Sequence, residues 1–165
     1  MENKNVINSG EFSQQDVFYM SLAIEQAHLA MDHGDVPVGA VLVNHHTEKV
    51  IAMGHNTKEI NQNATQHAEI NVITEASEKL GSWRLSDCTL YVTLEPCPMC
   101  TGAIMAARIP RVVCGAKDAV AGAMGSVWAI HKHPVDTKHT QACFGCMEEE
   151  ARNLLQQFFV QRRKS

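Results

Sequence analysis

The sequence predicts an α/β fold on three observations. Runs rich in β-branched residues recur at 36–43, 88–94 and 111–115. Stretches with apolar residues at helical spacing lie before, between and after them. The order strand, helix, strand over 88–115 forms a parallel crossover, expected to be right-handed like nearly all such units. At 165 residues the chain suffices for one well-filled domain and is too short for two.

Residues 1–12 are polar and aperiodic and read as a flexible N-terminal tail, leaving 13–165 as a single domain. Ser13 and Asp16 resemble a capping box, and Val17, Met20, Ile24, Ala27 and Met31 recur at helical spacing as far as Gly34. Residues 36–43 and 50–54 flank a turn at 44–48 and predict a β-hairpin. A polar loop, 57–66, leads to a helix whose apolar stripe is Ile70, Ile73, Ala76 and Leu80, with Gly81 as its stop. Strands at 88–94 and 111–115 enclose a helix through 103–107. The glycines of the loop at 115–126 permit close backbone approach. A short edge strand at 140–144 and a final helix over 147–163, with Leu154, Leu155, Phe158 and Phe159 on one side, complete the chain.

Hydrophobic residues at 45% and charged residues at 19% describe an ordinary globular protein. A net charge of −4 means that any nucleic-acid contact must come from a local basic patch, and Arg162, Arg163 and Lys164 supply one. Six cysteines without a recognisable signal peptide predict reduced thiols and a cytoplasmic protein. No apolar run reaches the length of a membrane span.

His67 in QHAEI and Cys97 and Cys100 in EPCPMC offer one imidazole and two thiols. If a helix begins at Pro98, both cysteines lie at its opening turn and can close on one metal ion. Proline suits that first position, where its missing N–H has no partner to lose. Three N/S ligands leave a tetrahedral zinc with one open position, the mark of a catalytic site. Glu69 stands about 200° round a helix from His67, badly placed to share the same coordination position and so available to move protons. Both ligand segments would meet the ion at helix N-termini, where the dipole favours thiolates. The expected cofactor is one Zn²⁺ per chain. A core histidine and two buried thiols are the plain alternatives taken singly, but H-x-E with P-C-x-x-C is the known signature of zinc-dependent nucleobase deaminases.

Over roughly residues 12–164 the chain resembles the bacterial tRNA-specific adenosine deaminases of the cytidine/deoxycytidylate deaminase superfamily. The matching stretches are VPVGAVLV, GHN, HAEI, WRLSDCTLYVTLEPCPMCTGAI, RIPRVVCGAKDAVAGAMGS and FFVQRR. The resemblance implies a cytidine-deaminase-like three-layer α/β/α fold with a central mixed five-stranded sheet. It implies a homodimer that acts on a tRNA anticodon stem-loop, converting the wobble adenosine to inosine and releasing ammonia. It carries zinc binding to His67, Cys97 and Cys100 and proton transfer to Glu69. Substrate contacts are implied for Asn56 on the flipped base, Val38, Asp118 on a neighbouring ribose and Phe159 beside a flanking nucleotide. On residue chemistry alone, Asn56 can equally end a strand, Asp118 can cap its loop, and Phe158 and Phe159 cannot both face the core.

The chain departs from the family at Gln66, beside a ligand, at Lys138 before His139, and at Ala151. An added CFGC pair, Cys143 and Cys146, with His131, His133 or His139 makes a second metal site conceivable. Two other functions stay open. One is a deaminase of a free base or nucleoside such as guanine or cytosine; the other is a non-catalytic zinc-binding subunit, for which Glu69 would be expendable.

Overall fold

The computed structural model describes residues 12–133 and 140–164. The tail expected at 1–12, apart from Phe12, and also Lys138 and His139, lie outside the described residues. Helix α1 (Gln14–Asp32) opens with the expected capping box: Ser13 accepts from the Asp16 N–H, and Asp16 accepts from the Ser13 N–H. Strands β1 (Gly39–Asn44) and β2 (Lys49–His55) form the antiparallel hairpin. A short helix α2 (Lys58–Asn61) occupies part of the stretch read as loop, and α3 (Ala68–Leu80) ends on Gly81 in the left-handed conformation. Then follow β3 (Cys88–Leu94), α4 (Pro98–Ala106), β4 (Arg111–Ala116), a 3-10 turn (Ile130–Lys132), β5 (Gln141–Phe144) and α5 (Glu148–Lys164).

The sheet is five-stranded in the order β2-β1-β3-β4-β5. β1 runs antiparallel to both neighbours, while β3, β4 and β5 are mutually parallel. Alternating side chains divide the core. Ala40, Leu42, Leu90, Val92, Val112 and Cys114 face α3 and α4. Val41, Val43, Tyr91, Val113 and Cys143 face the other way, onto Tyr19, Met20 and Ala23 of α1, with α5 packed beside α1 and β4. The result is the three-layer α/β/α arrangement of the cytidine-deaminase-like fold.

Two helices bury a face that overlaps the one read in the sequence, at Met20, Ala27 and Ala76, but is rotated from it. On α1 the buried residues are Tyr19, Met20, Ala23, Ala27 and Ala30, and Val17 is exposed. On α3 they are Ala68, Glu69, Val72 and Ala76, while Leu80 is exposed. Small side chains let each helix lie close to the sheet, so the contact line follows alanines rather than the largest apolar residues. β1 starts at Gly39 and not at 36, because the Val36 carbonyl accepts from the Asn56 side chain and from the Val38 N–H instead of a strand partner. Cys143 and Cys146 are buried behind α1, and among the described residues no metal-capable cluster includes them. No described helix is long and apolar enough to cross a membrane.

The far face is tied by one ionic contact. Arg111 on β4 donates to both oxygens of Asp16, at 3.0 and 3.1 Å, and the Tyr91 hydroxyl donates to the same carboxylate at 2.7 Å. Burial alone would raise the Asp16 pKa, but the Arg111 and Tyr91 bonds outweigh it and hold it below the ordinary value. A depressed folded-state pKa means that this contribution to stability is fully present above the unfolded value of about 4 and is lost as pH falls through the folded one. Arg111→Ala leaves a buried carboxylate without its partner. It is expected to cost about 3 kcal/mol in urea denaturation near neutral pH, and to flatten the acid limb of the stability profile.

Candidate active site

Because β3 and β4 are parallel, their carboxyl ends lie together, next to the start of β1 and the end of β2. Chain leaving those ends builds the site, where open α/β sheets keep their ligands. β3 delivers Glu95 and Cys97; Cys97 is the N-cap of α4, Pro98 begins the helix and Cys100 follows in its first turn. His67 is the N-cap of α3. Its Nδ1 lies 3.7 Å from the Cys97 Sγ and 3.5 Å from the Cys100 Sγ. Zinc at its usual distances of about 2.0 Å to nitrogen and about 2.3 Å to sulfur, with tetrahedral angles, requires N···S separations of about 3.6 Å. The donors stand where one such ion would need them.

The charges suit a cation. Hydrogen bonding between the two thiols pulls Cys97 below its ordinary value, and the same contact with burial pushes Cys100 up. The Cys97 contact also raises His67. Glu69, in the first turn of α3, is 4% exposed. Burial raises its pKa above the ordinary carboxylate value, against the opposing pull of its own backbone N–H and the Cys100 contact. A buried carboxyl beside the thiols is placed to accept and return a proton.

These groups share a cavity of about 240 Å³. Of the residues expected at the site, Val38, Asn56, His67, Glu69, Cys97 and Asp118 line it, and Cys100 is buried beside His67. Phe159 is not on the lining; it is exposed on α5, and Arg162, one turn further on, is the residue of that helix that reaches the cavity. Asn56 is bonded at both ends of its amide: Oδ1 accepts from the Ala68 N–H at 2.8 Å and Nδ2 donates to the Val36 carbonyl at 3.0 Å. One N–H and one lone pair remain for a ligand. Asp118 accepts from the Val120 and Ala121 N–H groups, so it caps its loop as well as lining the cavity. Gln66 is absent from the lining; its Oε1 accepts from Thr57 and Asn61.

Two buried lining carboxylates escaped the reading of the sequence. Asp35, 1% exposed, accepts from the N–H groups of Glu59 and Ile60 and so fixes the start of α2. Glu95 does comparable work for the loop after β4. Its position directly before PCPMC was the available signal.

The sequence profile of MafB19-like deaminases matches residues 12–163. The chain belongs to this deaminase family. As a MafB19-like deaminase it is 43% identical over 150 residues to a tRNA-specific adenosine deaminase of Bacillus subtilis, covering 91% of this chain and 92% of that one. A structure solved in work on A-to-I editing by tRNA:A34 deaminases superposes with a TM-score of 0.80 at 40% identity, over 84% of this deaminase and 99% of that chain. The guanine deaminase of Bacillus subtilis aligns at 35% identity with a TM-score of 0.58, over 64% of this chain and 66% of its own.

Asn56→Ala removes the acceptor that fixes the residue next to His67. Metal affinity is expected to drop about 10- to 100-fold in competition with a chromophoric chelator, and an unchanged affinity would confine Asn56 to substrate contact.

Proposed function

We propose that this chain is a zinc-dependent adenosine deaminase that converts the wobble adenosine of a tRNA anticodon to inosine. The observation that carries the reading is the convergence of His67, Cys97 and buried Glu69 in one cavity, with Cys100 directly behind His67 and the cations Lys58 and Arg162 on the same lining. In a chain of net charge −4, such local cations are what phosphates flanking an extruded nucleotide would meet. His67, Cys97 and Cys100 would hold the zinc, which when bound supplies the Lewis acidity that makes water a nucleophile near neutral pH. Glu69 takes one proton from the attacking water at its carboxylate and passes it to N1 of adenine as the water oxygen bonds to C6. It then moves the remaining hydroxyl proton to the exocyclic nitrogen as the C6–O bond becomes a carbonyl and the C6–N6 bond breaks. Ammonia leaves and the ring is that of inosine.

Asn56 has an N–H and a lone pair left to fix the base, and Val38 packs against it. Asp118 faces the adjoining ribose, and Phe159, outside the cavity on α5, stands by a flanking nucleotide. A homodimer and a cytoplasmic setting belong to the same reading. Gln66 turns toward Thr57 and Asn61, so this departure from the family leaves the base pocket unaltered. The likeness to a guanine deaminase favours the free-base alternative.

Incubating the zinc-loaded protein with an anticodon stem-loop bearing wobble adenosine, beside free adenosine, guanine and cytosine, tests the reading. Inosine in the stem-loop alone is expected; guanine turnover with the stem-loop untouched would replace the tRNA reading with the free-base one. Glu69→Ala should keep zinc and fold while turnover falls by about 10²–10⁴-fold. Loss of zinc together with activity would overturn the proton-carrier role.

A further inference from the structure

Glu95 leaves β3 directly into the ligand segment and is 2% exposed. Its Oε1 accepts from the Asp118 N–H at 3.3 Å and from the Ser126 hydroxyl. Oε2 accepts from the N–H groups of Met124 and Ser126, each at 3.1 Å. One side chain therefore gathers both ends of the segment 118–126. Gly122 is packed against the same carboxylate so closely that a Cβ there would collide with it. The Asp118 carboxylate caps Val120 and Ala121 from the start of the loop, and the Ala123 N–H donates to the Pro96 carbonyl at 2.9 Å. Asp118 and Ala121 of this segment line the cavity. All four donors to Glu95 are neutral, so the carboxylate serves as a fixed set of acceptors. None of its bonds reaches His67, Cys97, Cys100 or Glu69.

We propose that Glu95 is a positioning residue for nucleotide recognition: it sets the loop 118–126 against the cavity, so that Asp118 and Ala121 meet the substrate. This rests on the deaminase function proposed above. An interior carboxylate that holds a recognition loop while bonding to none of the catalytic groups separates substrate binding from chemistry, and that separation is measurable.

Glu95→Gln puts an NH2 group against N–H donors without changing side-chain length. Hydrogen exchange read by mass spectrometry is expected to quicken at least about tenfold in 118–126, with α3 and α4 unchanged and zinc still at one per chain. For the stem-loop, KM is expected to rise about tenfold or more and kcat to change far less. Gly122→Ala should shift KM in the same direction from the other side of the contact. Ser126→Ala, which deletes only the hydroxyl donor, should do so more mildly and serves if Glu95→Gln does not fold. Unchanged exchange in 118–126, loss of zinc, or a fall in kcat at constant KM would overturn the proposal. If the wild-type protein leaves the stem-loop untouched, the tRNA reading fails. The exchange result then still decides whether Glu95 holds the loop, and the KM arm is run on whichever base the protein does deaminate.

Discussion

His67 and the pair Cys97 and Cys100 lie on separate stretches of chain, and a metal centre exists only if the two stretches stop at the same point. Two helix N-termini provide that stop. α3 begins immediately after His67 and α4 immediately after Cys97, both on the same face of the sheet. Each helix thus presents its positive end where the thiolates gather. The same geometry places Glu69 in the first turn of α3, where two effects oppose each other. The helix N-terminus favours the carboxylate form, and nearly complete burial disfavours it. Burial prevails and the pKa rises.

Around this fixed centre the cavity walls are loops, and buried carboxylates hold them. Asp35 fixes the start of α2, carrying Lys58 and Glu59, and Glu95 fixes 118–126. His67, Cys97, Cys100 and Glu69 sit at the starts of helices whose positions the core determines. Lys58, Asp118 and Ala121 on the cavity wall sit on segments that a few interior hydrogen bonds position. Such a division lets substrate preference change through the walls while the hydrolytic centre stays as it is, in keeping with adenosine and guanine deaminases sharing one fold.

Local chemistry was readable and long-range chemistry was not. The Ser13 and Asp16 cap, the strand at Cys88–Leu94 and the helix start at Pro98 each depend on neighbours in sequence, and the structure agrees with them. The clustering of His67, Cys97 and Cys100 was legible for the same reason: their types and spacings are written in two short segments. The inner faces of α1 and α3 were read only in part: Met20, Ala27 and Ala76 are buried as expected, while Ala23, Ala30 and Ala68, which also mark close approach, were passed over. α2 went unseen because Asp35, 24 and 25 residues before the amides it receives, caps it. Glu95 was given no role, since its donors lie 23 to 31 residues further along. Arg162, and not Phe159, reaches the cavity because the inward face of α5 is set by Ala151, Leu154 and Phe158.

Zinc K-edge X-ray absorption on the purified protein tests most directly whether these three donors form an open catalytic centre. Two sulfur scatterers at about 2.3 Å and two nitrogen or oxygen scatterers at about 2.0–2.1 Å are expected, one of them from an imidazole. Three or four sulfurs, or a second imidazole in place of the open position, would contradict it and make the site structural.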